Sequence, residues 1–267
     1  MTDYALAISD GEVERYRFMA ERARVDEAGH WERAGIRPGA VVADVGSGPG
    51  AVSVVLAGIV GPGGRVIAVE RDEAARARAT SLVAASGAVN VDLVAGTATD
   101  TGIPPRSVDV VVMRHVLAHN GPDEQRIVDH LAGLVRPGGS VYLVDVDGTA
   151  ARVLDGDPDL EDLHEAYLQW HRRRGNDLQT GLRLAHLLTR AGLAVVLHEG
   201  RYSIARPPPG VRLPAWAARE ALVEEGLATA DDVRRWEAAF ARTDAAAERP
   251  TYFAPVFVAL GTAPGDA

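Results

Sequence analysis

Apolar positions along this chain fall into two alternating rhythms. Short Val-rich runs occur at Val41–Val45, Arg65–Val69, Val91–Ala95, Val108–Met113 and Ser140–Val146. They are near-continuous rather than alternating, the mark of strands covered on both faces. Between them lie longer segments with helical spacing: Ala51–Val60, the alanine-rich Asp72–Ser86 with Gly87 as its stop, and Glu124–Val135. Glycine and proline punctuate the changes, as at Gly61-Pro62-Gly63-Gly64 and Arg136-Pro137-Gly138-Gly139. Strand–helix alternation over 41–146 predicts a parallel, doubly wound sheet.

The flanks follow another pattern. Glu12–Ala34 forms one helix of mixed polarity, with Tyr16, Met19, Ala20 and Ala23 on a stripe, broken by Gly35 and Pro38-Gly39. Beyond Asp147, Asp157–Gly175 has Leu160, Leu163, Tyr167 and Trp170 at helical spacing. Gly181–Ala191 is a helix, Leu193–Ile204 a strand, Pro214–Glu225 and Asp231–Thr243 two further helices, and Thr251–Leu260 a closing strand. The expected fold is α/β: a doubly wound, mostly parallel seven-stranded sheet with an N-terminal helix and inserted cap helices. Residues 1–40 form the N-terminal cap and 41–150 the ligand-binding core. Residues 151–267 supply cap helices and the last strands of the same sheet.

Composition narrows the chemistry. The 267 residues carry a net charge of −9, which argues against a nucleic-acid partner. There is no cysteine, so disulfides, thiolate metal sites and cysteine nucleophiles are excluded. All 28 basic residues are arginine, which removes a P-loop lysine and Schiff-base chemistry. The acidic cluster Asp157, Asp159, Glu161 and Asp162 suits the positive end of its helix, and no metal is expected there. With no signal-peptide pattern and no long apolar run, a cytoplasmic protein without membrane contact is expected.

The first strand runs into Asp44-Val45-Gly46-Ser47-Gly48-Pro49-Gly50. A strand that stops in a glycine-rich turn and opens a helix presents backbone N–H groups to one cleft. Gly46-x-Gly48-x-x-Ala51, with Glu70 further on, fits a dinucleotide fingerprint, which alone is weak. The same residues, together with Val69-Glu70, Gly96-Thr97-Ala98, Val110–Leu117 and Leu134–Gly139, are ordered and spaced alike in a known family. From about Ser9 to Leu193 the chain resembles class I S-adenosylmethionine-dependent methyltransferases, Rossmann-like enzymes, in particular the small-molecule group related to ubiquinone/menaquinone C-methyltransferases.

The resemblance implies S-adenosylmethionine as cofactor and S-adenosylhomocysteine as product. It implies that Gly46, Ser47, Gly48 and Gly50 bring the main chain against the cofactor. Asp44 would hold the ammonium group or fix the loop through backbone N–H bonds. Glu70 would take both ribose hydroxyls, Arg71 would cover the adenine, and Thr97 and Ala98 would flank it. Thr97 departs from the Asp usual in the family, with Asp100 as a compensating neighbour. Arg114 and His115 would line the cleft beneath the sulfonium.

Methyl transfer is a displacement governed by positioning, and a base matters only if the acceptor must lose a proton. His115 and His119 are the catalytic candidates, with Asp145 bordering the acceptor pocket. His164 and His171 are secondary candidates for substrate contact. Tyr4, Tyr16, Met19, Tyr167 and Trp170 would wall the acceptor. The expected function is methyl transfer to a small, largely apolar or aromatic metabolite, with a homodimer left open. The alternatives are a non-catalytic cofactor-binding scaffold and, further off, an NAD(P)-linked oxidoreductase.

Overall fold

The computed structural model describes residues 10–265. Its centre is a sheet in the order β3-β2-β1-β4-β5-β8-β6, with β7 on the other side of β8. The parallel part comprises β1 (Val41–Val45), β2 (Arg65–Glu70), β3 (Val91–Ala95), β4 (Val108–Arg114) and β5 (Val135–Val146). Strand β8 (Thr251–Thr262) runs antiparallel to β5 and to β7 (Ala194–Ala205).

The central strands are Val-rich because both faces are covered. Val42, Val110, Val112 and Tyr142 point into one apolar layer, with Trp31, Leu56 and Val60 from the helices packed on it. Ala43, Val111, Val141 and Leu143 point into the opposite layer, against Ile127, Leu131 and Leu184. Branched side chains suit this pleated surface. The chain passes to opposite faces after β1 and after β4, through α3 (Ala51–Val60) and α5 (Glu124–Leu134), which opens a crevice at the carboxyl ends of these neighbouring strands.

A third apolar cluster closes that crevice from above. It is built from α6 (Pro158–Arg173), α8 (Pro214–Ala217), α9 (Arg219–Glu224) and α10 (Ala230–Ala245), around Leu160, Leu163, Trp236 and Phe240. Asp157, Asp159 and Asp162 of the acidic cluster pair with Arg235 and Arg242 of α10, and Asp162 also accepts from the Trp236 indole at 2.9 Å. These acids therefore fasten one cap helix to another.

Three boundaries differ from the sequence expectation. The helix expected over 12–34 is two, α1 (Asp10–Asp26) and α2 (Ala28–Ala34), interrupted at Glu27, whose carboxylate is buried. The sheet has eight strands rather than seven, because β6 (Arg152–Leu154) pairs with Thr251–Phe253 of β8. The helix expected over 214–225 breaks at Ala218 into α8 and α9. A helix of seven residues, α7 (Leu184–Arg190), precedes β7. Among the described residues no helix is long and apolar enough to cross a membrane.

Candidate functional site

The glycine turn after β1 is shaped by close approach. Gly46, Gly48 and Gly50 all have positive φ, which an L side chain resists. A Cβ on Gly46 would stand 2.5 Å from Val116 Cγ2, and one on Gly50 would be 3.0 Å from the Ala79 methyl. Gly46 and Ser47 donate backbone N–H bonds of 2.8 and 3.0 Å to the Val69 carbonyl, tying the turn to the end of β2. Helix α3 then starts from Gly50 without a side-chain cap, so its first-turn N–H groups have no side-chain acceptor.

Two carboxylates set this turn. Glu70 is buried; Oε2 accepts from Gly48 N at 2.9 Å and Oε1 from Asp72 N at 2.9 Å. Asp44 is also buried and accepts from the Ser53 hydroxyl at 2.6 Å. The expected fixing of the loop by Asp44 through backbone N–H groups is thus replaced by a bond to a side chain on α3. Burial pushes the Asp44 carboxyl up to about 6, against the Ser53 bond and the Arg114 charge, which favour its ionised form.

Above the turn lies a cavity of about 610 Å³. Asp44, Ser47, Arg114, His115, His119 and Asp145 line its floor. Tyr16 and Met19 of α1 and Tyr167 of α6 line its walls. Tyr16 also covers Gly48, where a Cβ would come 3.5 Å from its ring. The Ser47 hydroxyl is sealed from solvent and has no hydrogen-bond partner. A buried hydroxyl at the mouth of an uncapped helix is a ready contact for a polar ligand.

The other expected residues fall differently. Arg71 is exposed. Thr97 is exposed too, and its hydroxyl accepts from Asp100 N at 3.0 Å within its own turn. Ala98 packs against the core layer that includes Val69 and Leu117. Glu70, Arg71, Thr97 and Ala98 stand outside the cavity lining. Trp170 does not wall the cavity either; it is buried in the cap, its indole donating to Glu225 at 3.0 Å. Tyr4 lies outside the described residues.

Arg114 lines the floor, but its guanidinium is held from behind. Nη2 and Nε contact the two Glu27 oxygens at 2.6 and 3.2 Å, and Tyr142 Oη donates to the same carboxylate at 2.9 Å. Glu27 was not legible as a site residue, since an isolated acid in a mixed helix gives no local signal.

The two histidines leave β4 on a tight path. His115 has φ 56, and its N–H donates to Val144 O at 2.8 Å, which fixes the backbone in this strained region. Burial holds its imidazole well below the usual histidine range, with the Arg114, Arg15 and His119 charges adding to it. Burial, helped by Arg15 and Arg71, takes His119 down to about 4. Both rings are neutral near pH 7 and offer a lone pair to a hydrogen bond. As bases they are weak, because burial opposes the imidazolium that a transferred proton would form. His171 lies behind His119, with ring centroids 4.9 Å apart, and is not part of the lining.

Asp145 accepts from Ala118 N at 3.1 Å and from Val146 N at 2.9 Å. Burial raises its carboxyl to about 7, because the backbone donors of Ala118, Val146 and Leu117 do not offset the lost hydration. It both borders the cavity and binds backbone amides.

A parallel sheet that reverses winding between β1 and β4, a glycine turn at that point and a final antiparallel strand define a Rossmann-like methyltransferase fold. Residues 43–143 match the family model for a methyltransferase domain. The arsenite methyltransferase of Halobacterium salinarum is 36% identical over 117 residues, 44% of this chain and 30% of that protein. The nocamycin O-methyltransferase of Saccharothrix syringae is 39% identical over 110 residues, 40% of this chain and 38% of that one. The chain thus spans well under half the length of the curated relatives it matches. The crystal structure of a methyltransferase from Bacillus halodurans superposes with a TM-score of 0.59 at 18% identity, covering 90% of this chain and 99% of that one. Over residues 43–143 the chain thus matches a methyltransferase domain, set in the fold of class I S-adenosylmethionine-dependent methyltransferases.

Proposed function

We propose that the chain is an enzyme that transfers a methyl group from S-adenosylmethionine to a small, largely apolar or aromatic metabolite. The observation that carries this reading is the sealed, unpartnered Ser47 hydroxyl at an uncapped helix start, inside a cavity of about 610 Å³. That volume is the size of a small-molecule site, and the residues assigned to the adenosine end, Glu70, Arg71, Thr97 and Ala98, stand outside its lining. When bound, the cofactor supplies an electrophilic methyl group on a sulfonium.

The residues present suit that group. Gly46, Gly48 and Gly50 leave the main chain open to close contact, and Ser47 with the first N–H groups of α3 takes a polar end. Asp44 offers a carboxylate to an ammonium group. Each Glu70 oxygen has one backbone donor, which leaves a second lone pair for a ribose hydroxyl. Arg71, Thr97 and Ala98 flank the adenine. Because the Thr97 hydroxyl is engaged in its own turn, it is the weakest of these contacts. Arg114, fixed by Glu27, positions the floor.

His115 and His119 face the acceptor. A ring nitrogen of one of them accepts the hydrogen bond of a hydroxyl acceptor and takes its proton as the oxygen is methylated. It is a weak base here, because burial opposes the imidazolium it becomes. An acceptor with a free lone pair needs no base. The H. salinarum relative is named for arsenite. This chain has no cysteine, and so no thiolate for a soft As(III) centre; an organic acceptor fits it better.

Calorimetry with S-adenosylhomocysteine, followed by transfer of a labelled methyl group to quinols, phenols and polyketides, tests the proposal. Micromolar affinity and label incorporation are expected. Binding of NAD(H) with no affinity for S-adenosylhomocysteine would overturn it. Tight cofactor binding without transfer to any organic acceptor would favour the non-catalytic scaffold.

A further inference from the structure

The cavity has a second polar end, carried by the cap rather than by the strand ends. Arg212, just before α8, lies over the Phe240 ring with its Cζ 4.7 Å from the centroid. Its Nη2 is held by Asp244 Oδ2 at 2.8 Å. Its Nη1 is sealed from solvent and has no hydrogen-bond partner. His164 stands on α6 between Leu160 and Leu168, one turn away on either side, and all three face the cavity. Its Nε2 is likewise sealed and unpartnered.

Both residues line one cavity. Arg212, Leu213 and Ala215 line the cavity together with Leu160, His164 and Leu168. Ala215 and Phe240 share an apolar cluster with Leu160 and Leu168, and α6 packs against α8. Native proteins rarely leave buried polar atoms unpaired without a ligand or a water to satisfy them. Here two such atoms, each just beneath the surface, belong to residues that line the same cavity.

Their chemistry is complementary. A guanidinium nitrogen only donates. Asp244 Oδ2 holds Nη2 while its Oδ1 also meets Arg249 Nη1 at 3.5 Å, so one carboxylate is shared by two guanidiniums, and Nη1 suits any oxygen acceptor, a carbonyl included. His164 is held below the usual histidine range by burial, while a hydrogen bond with the Gly148 backbone pulls the other way. A bond that favours the charged ring is one in which the ring donates. With Nε2 unpartnered, the donor is Nδ1, and Nε2 is left with a lone pair that accepts.

We propose that this compartment recognises the far end of the methyl acceptor, taking a carbonyl oxygen at Arg212 Nη1 and a hydroxyl at His164 Nε2 on an otherwise apolar ring system. The acceptor class is therefore a hydroxylated ketone or quinone-like ring, with an oxygen acceptor rather than an amine at the Arg212 end. This rests on the methyl-transfer reading above, but the subsite itself is testable without turnover.

The test is calorimetric titration of the full chain with hydroxyacetonaphthones of graded hydroxyl-to-ketone separation. 2-Acetonaphthone, which lacks the hydroxyl, and 2-naphthol, which lacks the ketone, serve as references. At least one hydroxyacetonaphthone should bind about tenfold more tightly than both references, the effect of a single well-placed buried hydrogen bond. Arg212→Gln should erase the advantage over 2-naphthol, and His164→Phe the advantage over 2-acetonaphthone. Arg212→Lys, which keeps a cation beside Asp244, should also lose the ketone preference, with its unfolding midpoint showing that the fold is retained.

Equal affinity for all the probes, no binding of any probe, or a preference that survives both His164→Phe and the Arg212 variants would overturn the subsite. Titration with S-adenosylhomocysteine in the same samples keeps the two questions apart. Loss of that affinity in the wild type counts against the cofactor reading, while the naphthol comparison, run with and without it, decides the subsite by itself.

Discussion

Glu27 and Arg114 meet in a two-pronged contact, Nη2 to Oε1 at 2.6 Å and Nε to Oε2 at 3.2 Å, with Glu27 only 1% exposed. The pair joins the break between α1 and α2 to the end of β4, on the floor of the cavity. Tyr142 from β5 donates to the same carboxylate, and Arg201 from β7 approaches it at 3.7 Å. A helix interrupted here lets one acid reach three strands at once.

Removing one member leaves an uncompensated charge in a dry place. Glu27→Gln should destabilise the fold by about 3–5 kcal/mol, in the range for breaking one side of a buried pair. The double variant Glu27→Leu/Arg114→Met should recover most of that loss, since well-packed apolar replacements are often neutral. Urea denaturation of both variants measures this. A double variant no more stable than Glu27→Gln would mean that the pair is not what holds the junction.

This pair also marks where the sequence stopped being informative. β1, β2 and β4 were legible because a strand covered on both faces must be apolar throughout, and Val42, Val110 and Val112 obey that locally. The turn from Gly46 to Gly50 was legible because positive φ calls for glycine. Glu27 was not, since its partner stands 87 residues away and nothing near it marks burial. Nor was β6, whose three residues are a strand only because β8 runs beside them. Trp170 sat on the expected stripe, yet its indole is drawn away by Glu225, an acid just past the end of α9. Local periodicity gives the face of a helix but not what that face meets.

Ser47 offers a separable test of the cofactor site. Its hydroxyl is sealed from solvent and has no partner in the protein, so deleting it costs the free protein little. Ser47→Ala should leave the unfolding midpoint unchanged or slightly raised. Affinity for S-adenosylhomocysteine should fall about tenfold, the loss of one buried hydrogen bond. A midpoint drop of several degrees with unchanged affinity would show that the hydroxyl serves the fold alone.

At Gly46 steric fit dominates. Gly46→Ala must place a methyl group 2.5 Å from Val116 Cγ2 at a φ of 75, so both packing and backbone are strained. Cofactor affinity should fall by at least about tenfold, a displaced turn costing 1–3 kcal/mol. Val116→Ala in the Gly46→Ala background should restore part of it by clearing the contact, while leaving the backbone strain. Isothermal titration on the two variants separates these contributions. No rescue at all would assign the whole effect to φ.

The buried titrating groups work against one another, and the signs can be tested. Asp44 and Asp145 have folded values raised to about 6 and about 7, so each gives stability that is full below the unfolded value and lost as pH rises through the folded one. His119 and His171 have folded values lowered to about 4 and about 3, so theirs is present above the unfolded histidine value and lost as pH falls. Between about pH 4 and 6.5 the two sets slope in opposite directions, and His115, also lowered by burial, adds to the rising side, so the wild-type unfolding midpoint should rise with pH. Asp145→Asn removes one falling contribution, so its midpoint should rise more steeply than that of the wild type. His171→Phe removes one rising contribution, and its midpoint should rise less steeply. Differential scanning calorimetry at pH 4.5 and 6.5 distinguishes them, and two variants displaced the same way from the wild-type slope would contradict the opposed burial of these groups.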